Sequence, residues 1–169
     1  MRKLSRHFYQ RTHNCDVYDE PVLTYLPIVE KHLSNGNGKA TGRILDAACG
    51  YNNVYLQPLL KQGSIDASQM VGMDINDDNR NRNIIHKQVV IQDLHEPIDL
   101  GQFHSIISVY TWEHLHSPTQ VLENFHRSLT DGGKLIIIAP QKYNYASLIE
   151  RLLPWRLKHL AWKLLKGKD

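Results

Sequence analysis

The sequence predicts an α/β fold built on a mostly parallel sheet, and three observations predict it. Short apolar runs alternate with stretches of helical spacing, the pattern of repeated strand–helix–strand units. The strongest run, Leu135-Ile136-Ile137-Ile138, is continuously apolar, as in a strand covered on both faces. Several runs end in small or acidic residues, where a parallel sheet presents its ligand-binding edge.

The elements follow in order. Pro21–Leu33 places Val22, Leu23, Leu26, Val29 and Leu33 near helical spacing and reads as a helix. Ser34–Gly42 (SNGNGKATG) is rich in Gly and Asn and reads as a linker. Arg43–Ala47 reads as a buried strand, and Asn53–Gln62 as a helix interrupted or bent near Pro58. Met70–Asp74 and Lys87–Ile91 are short strands, and Phe103–Tyr110 is a longer one. Ser117 is placed to cap a helix with Pro118 at its first position, running to about Leu129. Asp131-Gly132-Gly133 reads as a turn before the strand Lys134–Ala139, which Pro140 stops. Helical stretches over 145–153 and 155–165 follow, divided by Pro154. The expected organisation is a helical cap and linker over 1–42, an α/β core over 43–147 and a basic helical tail over 148–169.

The chain has 169 residues, the length of one domain. It is 41% hydrophobic and 22% charged, which excludes a disordered or collagenous chain. Its 20 lysines and arginines against 17 acids leave a net charge of +3, unevenly spread. Residues 1–11 hold four basic side chains and no acid, and residues 147–169 hold six against Glu150 and Asp169. The body between them is therefore acidic, which argues against a nucleic-acid groove. Cys15 and Cys49 are far apart and form no CxxC pair, pointing to a reducing, cytoplasmic setting. No apolar run approaches the roughly 20 residues of a membrane span, and no signal-peptide stretch opens the chain.

The chemistry lies just after the strands. The first strand runs into Asp46-Ala47-Ala48-Cys49-Gly50, a small-residue turn that lets a ligand approach the backbone. The second ends in Asp74, placed to accept hydrogen bonds from two ribose hydroxyls, and Gly50 and Asp74 stand at the expected spacing of roughly 20 residues. The third is followed by Gln92-Asp93-Leu94. Three acids at successive strand ends suit a cationic ligand rich in hydroxyls and amines, and would repel a polyphosphate. GxGxxG and GxxxxGK[ST] are both absent, which disfavours a dinucleotide oxidoreductase. S-adenosyl-L-methionine, with ribose hydroxyls, an ammonium and a sulfonium but no phosphate, fits better.

On these residues the chain resembles the class I S-adenosylmethionine-dependent methyltransferases, most closely their small-molecule branch. The resemblance spans about Arg43 to Ser147. It rests on Leu45-Asp46-Ala47-Ala48-Cys49-Gly50, Gly72-Met73-Asp74, Gln92-Asp93-Leu94, Phe103–Ser108 with Glu113-His114-Leu115, and Leu129–Leu135 with Ala139-Pro140. It implies a Rossmann-like three-layer sandwich with five recognisable strands here and the family's last two absent, so that the chain is read as truncated. It implies that Asp46, Ala48, Cys49 and Gly50 hold the amino-acid end of the cofactor. Asp74 would bind the ribose with Ile75 beside it, Asp93 with the backbone of Leu94 would read the adenine, and Tyr110 and Thr111 would line the floor under the methyl group. Ala48 and Asn52 stand where the family has glycines, and His104 where it has an acid.

Glu113, His114 and His116 lack the i, i+3 or i, i+4 spacing of helical metal ligands, and no metal is expected. His114 is a candidate general base, or else orients its loop. Tyr143 and Tyr145 either line an acceptor pocket or pack. The 155–165 stretch carries an apolar stripe flanked by Trp155 and Trp162, fitting either peripheral membrane or protein contact, or ordinary packing. Two functions follow: methyl transfer to an unidentified small molecule, or a non-catalytic cofactor-binding or interaction module that docks through its C-terminal helix.

Overall fold

The computed structural model describes residues 19–34, 38–51, 53 and 55–139. The strands are β1 (Ile44–Ala47), β2 (Met70–Asp74), β3 (Val89–Ile91), β4 (Phe103–Val109) and β5 (Leu129–Ile138). They form one five-stranded sheet in the order β3-β2-β1-β4-β5. Every neighbouring pair is parallel. The helices are α1 (Asp19–Leu33), α2 (Leu56–Lys61), α3 (Asp77–Arg82) and α4 (Pro118–Ser128). Register pairs Ala47 with Met73 and Ser108, and Asp74 with Ile91, so the strand ends meet at one edge. The chain reverses its strand order between β1 and β4, the position where open α/β sheets bind ligands.

Alternation along β1 and β2 sends Ile44 and Met70 to one face, and Leu45, Ala47, Val71 and Met73 to the other. The first face packs under Leu26, Val29 and Leu33 of α1 and Leu56 and Leu59 of α2. The second packs under Val121 and Phe125 of α4. Phe103, Ile106 and Phe125 are fully buried, each worth about 1.5–3 kcal/mol over an exposed position. This is the expected Rossmann-like, three-layer arrangement.

Several element bounds differ from expectation. The helix expected over Asn53–Gln62 is only Leu56–Lys61, and Asn53 caps the approach to it: its side-chain oxygen accepts the N–H groups of Tyr55 and Leu56, and its backbone oxygen accepts that of Gln57. The strand expected over Lys87–Ile91 is only Val89–Ile91. Helix α3 was not expected: its sequence DDNRNR buries no residue and so carries no apolar period. Ser117 stands at the cap position of α4, but its hydroxyl makes no capping bond. Its N–H faces His95 Nε2 at 3.4 Å instead. The expected turn at Asp131–Gly133 is a bulge inside β5, whose pairing jumps from Phe103↔Leu129 to Ser105↔Lys134. The 145–153 and 155–165 stretches lie outside the described residues.

Candidate functional site

The turn after β1 is cross-braced from three sides. Ala48 and Gly50 adopt left-handed backbone, with φ of 60° and 55°. Glycine adopts this freely; alanine adopts it at a cost of about 1–2 kcal/mol. The Cys49 N–H donates to Met73 O at 2.9 Å, holding the turn to the end of β2. The Gly50 N–H donates to Asp74 Oδ2 at 2.8 Å. Asp74 Oδ1 accepts from the Asn76 N–H at 2.9 Å and from Asn79 Nδ2 at 3.1 Å. Asp74 is thus buried and bonded through both oxygens.

Asp46 lies beneath this turn, only 1% exposed. Its Oδ1 accepts from Asn53 Nδ2 at 2.8 Å, and its Oδ2 stands 3.2 Å from His86 Nε2. Asn83 Nδ2 donates to Gly50 O at 2.9 Å, gripping the turn from its other side. Burial, then the charges of Asp46 and Asp74, push the Cys49 thiol up to about 12, so it stays protonated and inert.

The acid after β3 is organised differently. Asp93 Oδ1 accepts from the His95 N–H at 2.9 Å and from its ring Nδ1 at 2.7 Å. Those two bonds hold the Asp93 carboxyl below its ordinary range. The His95 ring stacks on His116 with centroids 3.7 Å apart. Asn124 of α4 donates from Nδ2 to Leu94 O and Glu96 O, both at 2.9 Å, fixing the buried Leu94 against the second face. Ile75, directly after Asp74, is 69% exposed and presents an apolar surface beside the two acids.

Past β4, Tyr110 takes φ of 52° and donates its N–H to Ile138 O at 2.7 Å. Thr111 is buried and donates its hydroxyl to Val109 O at 3.2 Å. A 3-10 turn, Trp112–His114, follows, and the His114 side chain is 76% exposed. The structure thus joins Asp46, Cys49, Gly50 and Asp74 in one bonded network, with Asp93 and Leu94 at the next strand end. Tyr110 and Thr111 stand at the end of β4, and His114 faces solvent. Tyr143 and Tyr145 lie outside the described residues. Asn53, Asn83, His86, His95 and Asn124 support the site and were not anticipated. An asparagine just past a turn is a usable signal for Asn53, but nothing in local sequence distinguishes His86.

A family model described as a methyltransferase domain matches residues 20–164. The chain belongs to this methyltransferase domain family. No curated protein matches the domain by sequence. Its fold is similar to that of the plantazolicin methyltransferase BpumL, solved in complex with a pentazolic desmethylPZN analog and SAH (TM-score 0.61, 16% identity, 87% of this chain and 58% of that one). DesVI of Streptomyces venezuelae is similar at TM-score 0.55 and 14% identity, over 76% of this chain and 58% of that one. So is magnesium protoporphyrin IX methyltransferase (ChlM) from Synechocystis PCC 6803 with bound SAM, at TM-score 0.53 and 15% identity, over 88% of this chain and 78% of that one. The methyltransferase domain therefore spans less than two thirds of BpumL and of DesVI. Among its described residues no helix is long and apolar enough to cross a membrane.

Proposed function

We propose that this domain binds S-adenosyl-L-methionine at the carboxyl edge of its sheet and transfers a methyl group to a small-molecule acceptor. The observation that carries the reading is the Gly50–Asp74 bond between the ends of β1 and β2. It sets a left-handed glycine with open space where a Cβ would stand, beside a buried carboxylate. Such a cradle fits a ribose diol and an amino-acid end. The three acids Asp46, Asp74 and Asp93 give the edge the sign that suits a sulfonium and an ammonium.

In this reading Ala48, Cys49 and Gly50 present main chain to the amino-acid end, and Asp46 shapes that turn from below. Asp74 accepts from a ribose hydroxyl, using the one lone pair that its three present bonds leave over on Oδ2. Ile75 gives apolar surface to the adenine, and Asp93, with the backbone of Leu94, faces its edge. The cofactor supplies an activated methyl group on sulfur. Tyr110 and Thr111 form the floor, and the domain contributes chiefly by holding an acceptor nucleophile in line with that methyl. His114, exposed beside this floor, is the candidate proton acceptor for a hydroxyl or amine substrate. The similar structures named for plantazolicin and for magnesium protoporphyrin IX fit an acceptor of small-molecule or peptide class. The wide cysteine spacing supports a cytoplasmic setting.

Calorimetric titration of the chain with S-adenosyl-L-methionine tests the reading. One-site heat that disappears in Asp74→Ala is expected, and no heat from the unaltered chain overturns it. Ala48 in a glycine conformation favours one second reading, a domain that binds without catalysing. Binding heat without methyl transfer to any of a panel of hydroxyl, amine and carboxylate acceptors would favour it.

A further inference from the structure

The ring of His86 is completely buried, and the proposed chemistry does not use it. Both its nitrogens face acceptors. Nδ1 stands 3.1 Å from Asn83 Oδ1, and Nε2 stands 3.2 Å from Asp46 Oδ2. The Asn83 amide cannot be turned round to relieve this. Its oxygen already accepts the N–H groups of Ile85 at 3.0 Å and His86 at 2.8 Å, and its nitrogen donates to Gly50 O. Asp46 Oδ2 and His86 Nε2 have no other partner among the described residues, and they meet without the alignment of a full hydrogen bond. Two lone pairs opposed at this distance, away from water, repel. One hydrogen shared between Nε2 and Asp46 Oδ2, and one from Nδ1 to Asn83 Oδ1, satisfy both neighbours, so the ring is held from two sides.

The sequence makes room for this pair. Gly72 is the register partner of Asp46 on β2. A Cβ there would come within 2.9 Å of Cys49 Sγ and 3.0 Å of His86 Cγ. The missing side chain is what lets the ring lie across the sheet against Asp46. From there one chain of contacts reaches the turn, His86 through Asn83 to the Gly50 carbonyl, and another runs from Asp46 through Asn53 to the start of α2.

We infer that His86, held by Asn83 and paired with Asp46, is a positioning residue that keeps the turn after β1 in its ligand-binding shape. The inference deepens the proposed function and rests on it for the identity of the ligand. Nitrogen-detected spectra of the imidazole rings in the intact chain give the first test. The His86 ring is expected to show hydrogen-bonded signals in slow exchange with solvent; a ring that exchanges freely with water overturns the pairing. The second test is hydrogen exchange in His86→Gln, with Ser128→Ala as a control that also loses a buried hydrogen bond. The Gly50 amide is expected to exchange about tenfold faster in His86→Gln relative to the Ile107 amide, the equivalent of one buried hydrogen bond, and to keep its relative rate in Ser128→Ala. Equal protection of Gly50 in both variants overturns the positioning role. Affinity for S-adenosylhomocysteine should fall by a similar factor in His86→Gln alone. If the unaltered chain binds none, the functional reading fails, while spectra and exchange still decide the role of His86.

Discussion

Between β1 and β3 the carboxyl edge is braced by side chains, whereas past β4 it is shaped by main-chain contacts and ends in solvent. On the first side Asp46, Asn53, Asp74, Asn83 and His86 tie the turn around Gly50 to two strands and a helix. On the second, Tyr110 bonds through its backbone, Trp112 packs edge-on to Phe125, and His114 is exposed. The contrast follows from burial. Polar groups under a sheet edge must find partners, while those beyond it have water. In the proposed function the braced side receives the ligand all such enzymes share, and the looser side meets the acceptor, which differs among them.

Breaking the braced side should have the largest effect. Asp74→Ala removes the acceptor of three hydrogen bonds, and S-adenosylhomocysteine affinity by calorimetry should fall about a hundredfold, equivalent to two charge-assisted bonds. The opposite edge of the sheet offers the contrasting case. A Cβ at Gly42, whose φ is 70°, would stand inside the His104 ring. Gly42→Ala should therefore cost about 2–4 kcal/mol in denaturant unfolding through strain and overpacking. Its effect on affinity should stay within about twofold, because the sites are far apart.

The sequence displayed the sheet more fully than the site. Alternation and the apolar runs at Ile44–Ala47, Met70–Asp74 and Phe103–Val109 revealed three strands nearly to the residue, since burial on both faces leaves a continuous apolar signal. Helix α3 was hidden because a helix that buries nothing has no period to read. Asp46, Gly50, Asp74 and Asp93 were visible as residues just past strand ends. Their supports were not: Asn83 and His86 meet Gly50 and Asp46 only after β2 and β3 pair, a contact across more than thirty residues that no local spacing encodes.

Smaller changes sharpen the comparison. Ala48→Gly relieves left-handed strain at the same turn while loosening the unfolded chain, so unfolding should shift by about 1 kcal/mol or less toward greater stability. His114→Ala, on the looser side, should leave stability within about 0.5 kcal/mol and the affinity for S-adenosylhomocysteine unaltered, any loss appearing in turnover alone. Asp93 gives the smallest effect and a definite sign. Its carboxyl is held below the ordinary 3.8, so its contribution to stability is present above that pH and is lost as pH falls through its folded value. Asp93→Asn should flatten the acid limb of unfolding monitored by circular dichroism.

The most direct measurement is a backbone amide map of the chain titrated with S-adenosyl-L-methionine. The largest shifts should fall at Gly50, Asp74, Ile75, Asp93 and Leu94, with Gly42 and Gly132 at the opposite edge unmoved. Shifts centred on Gly42 and Gly132, or none at saturating ligand, would contradict the account.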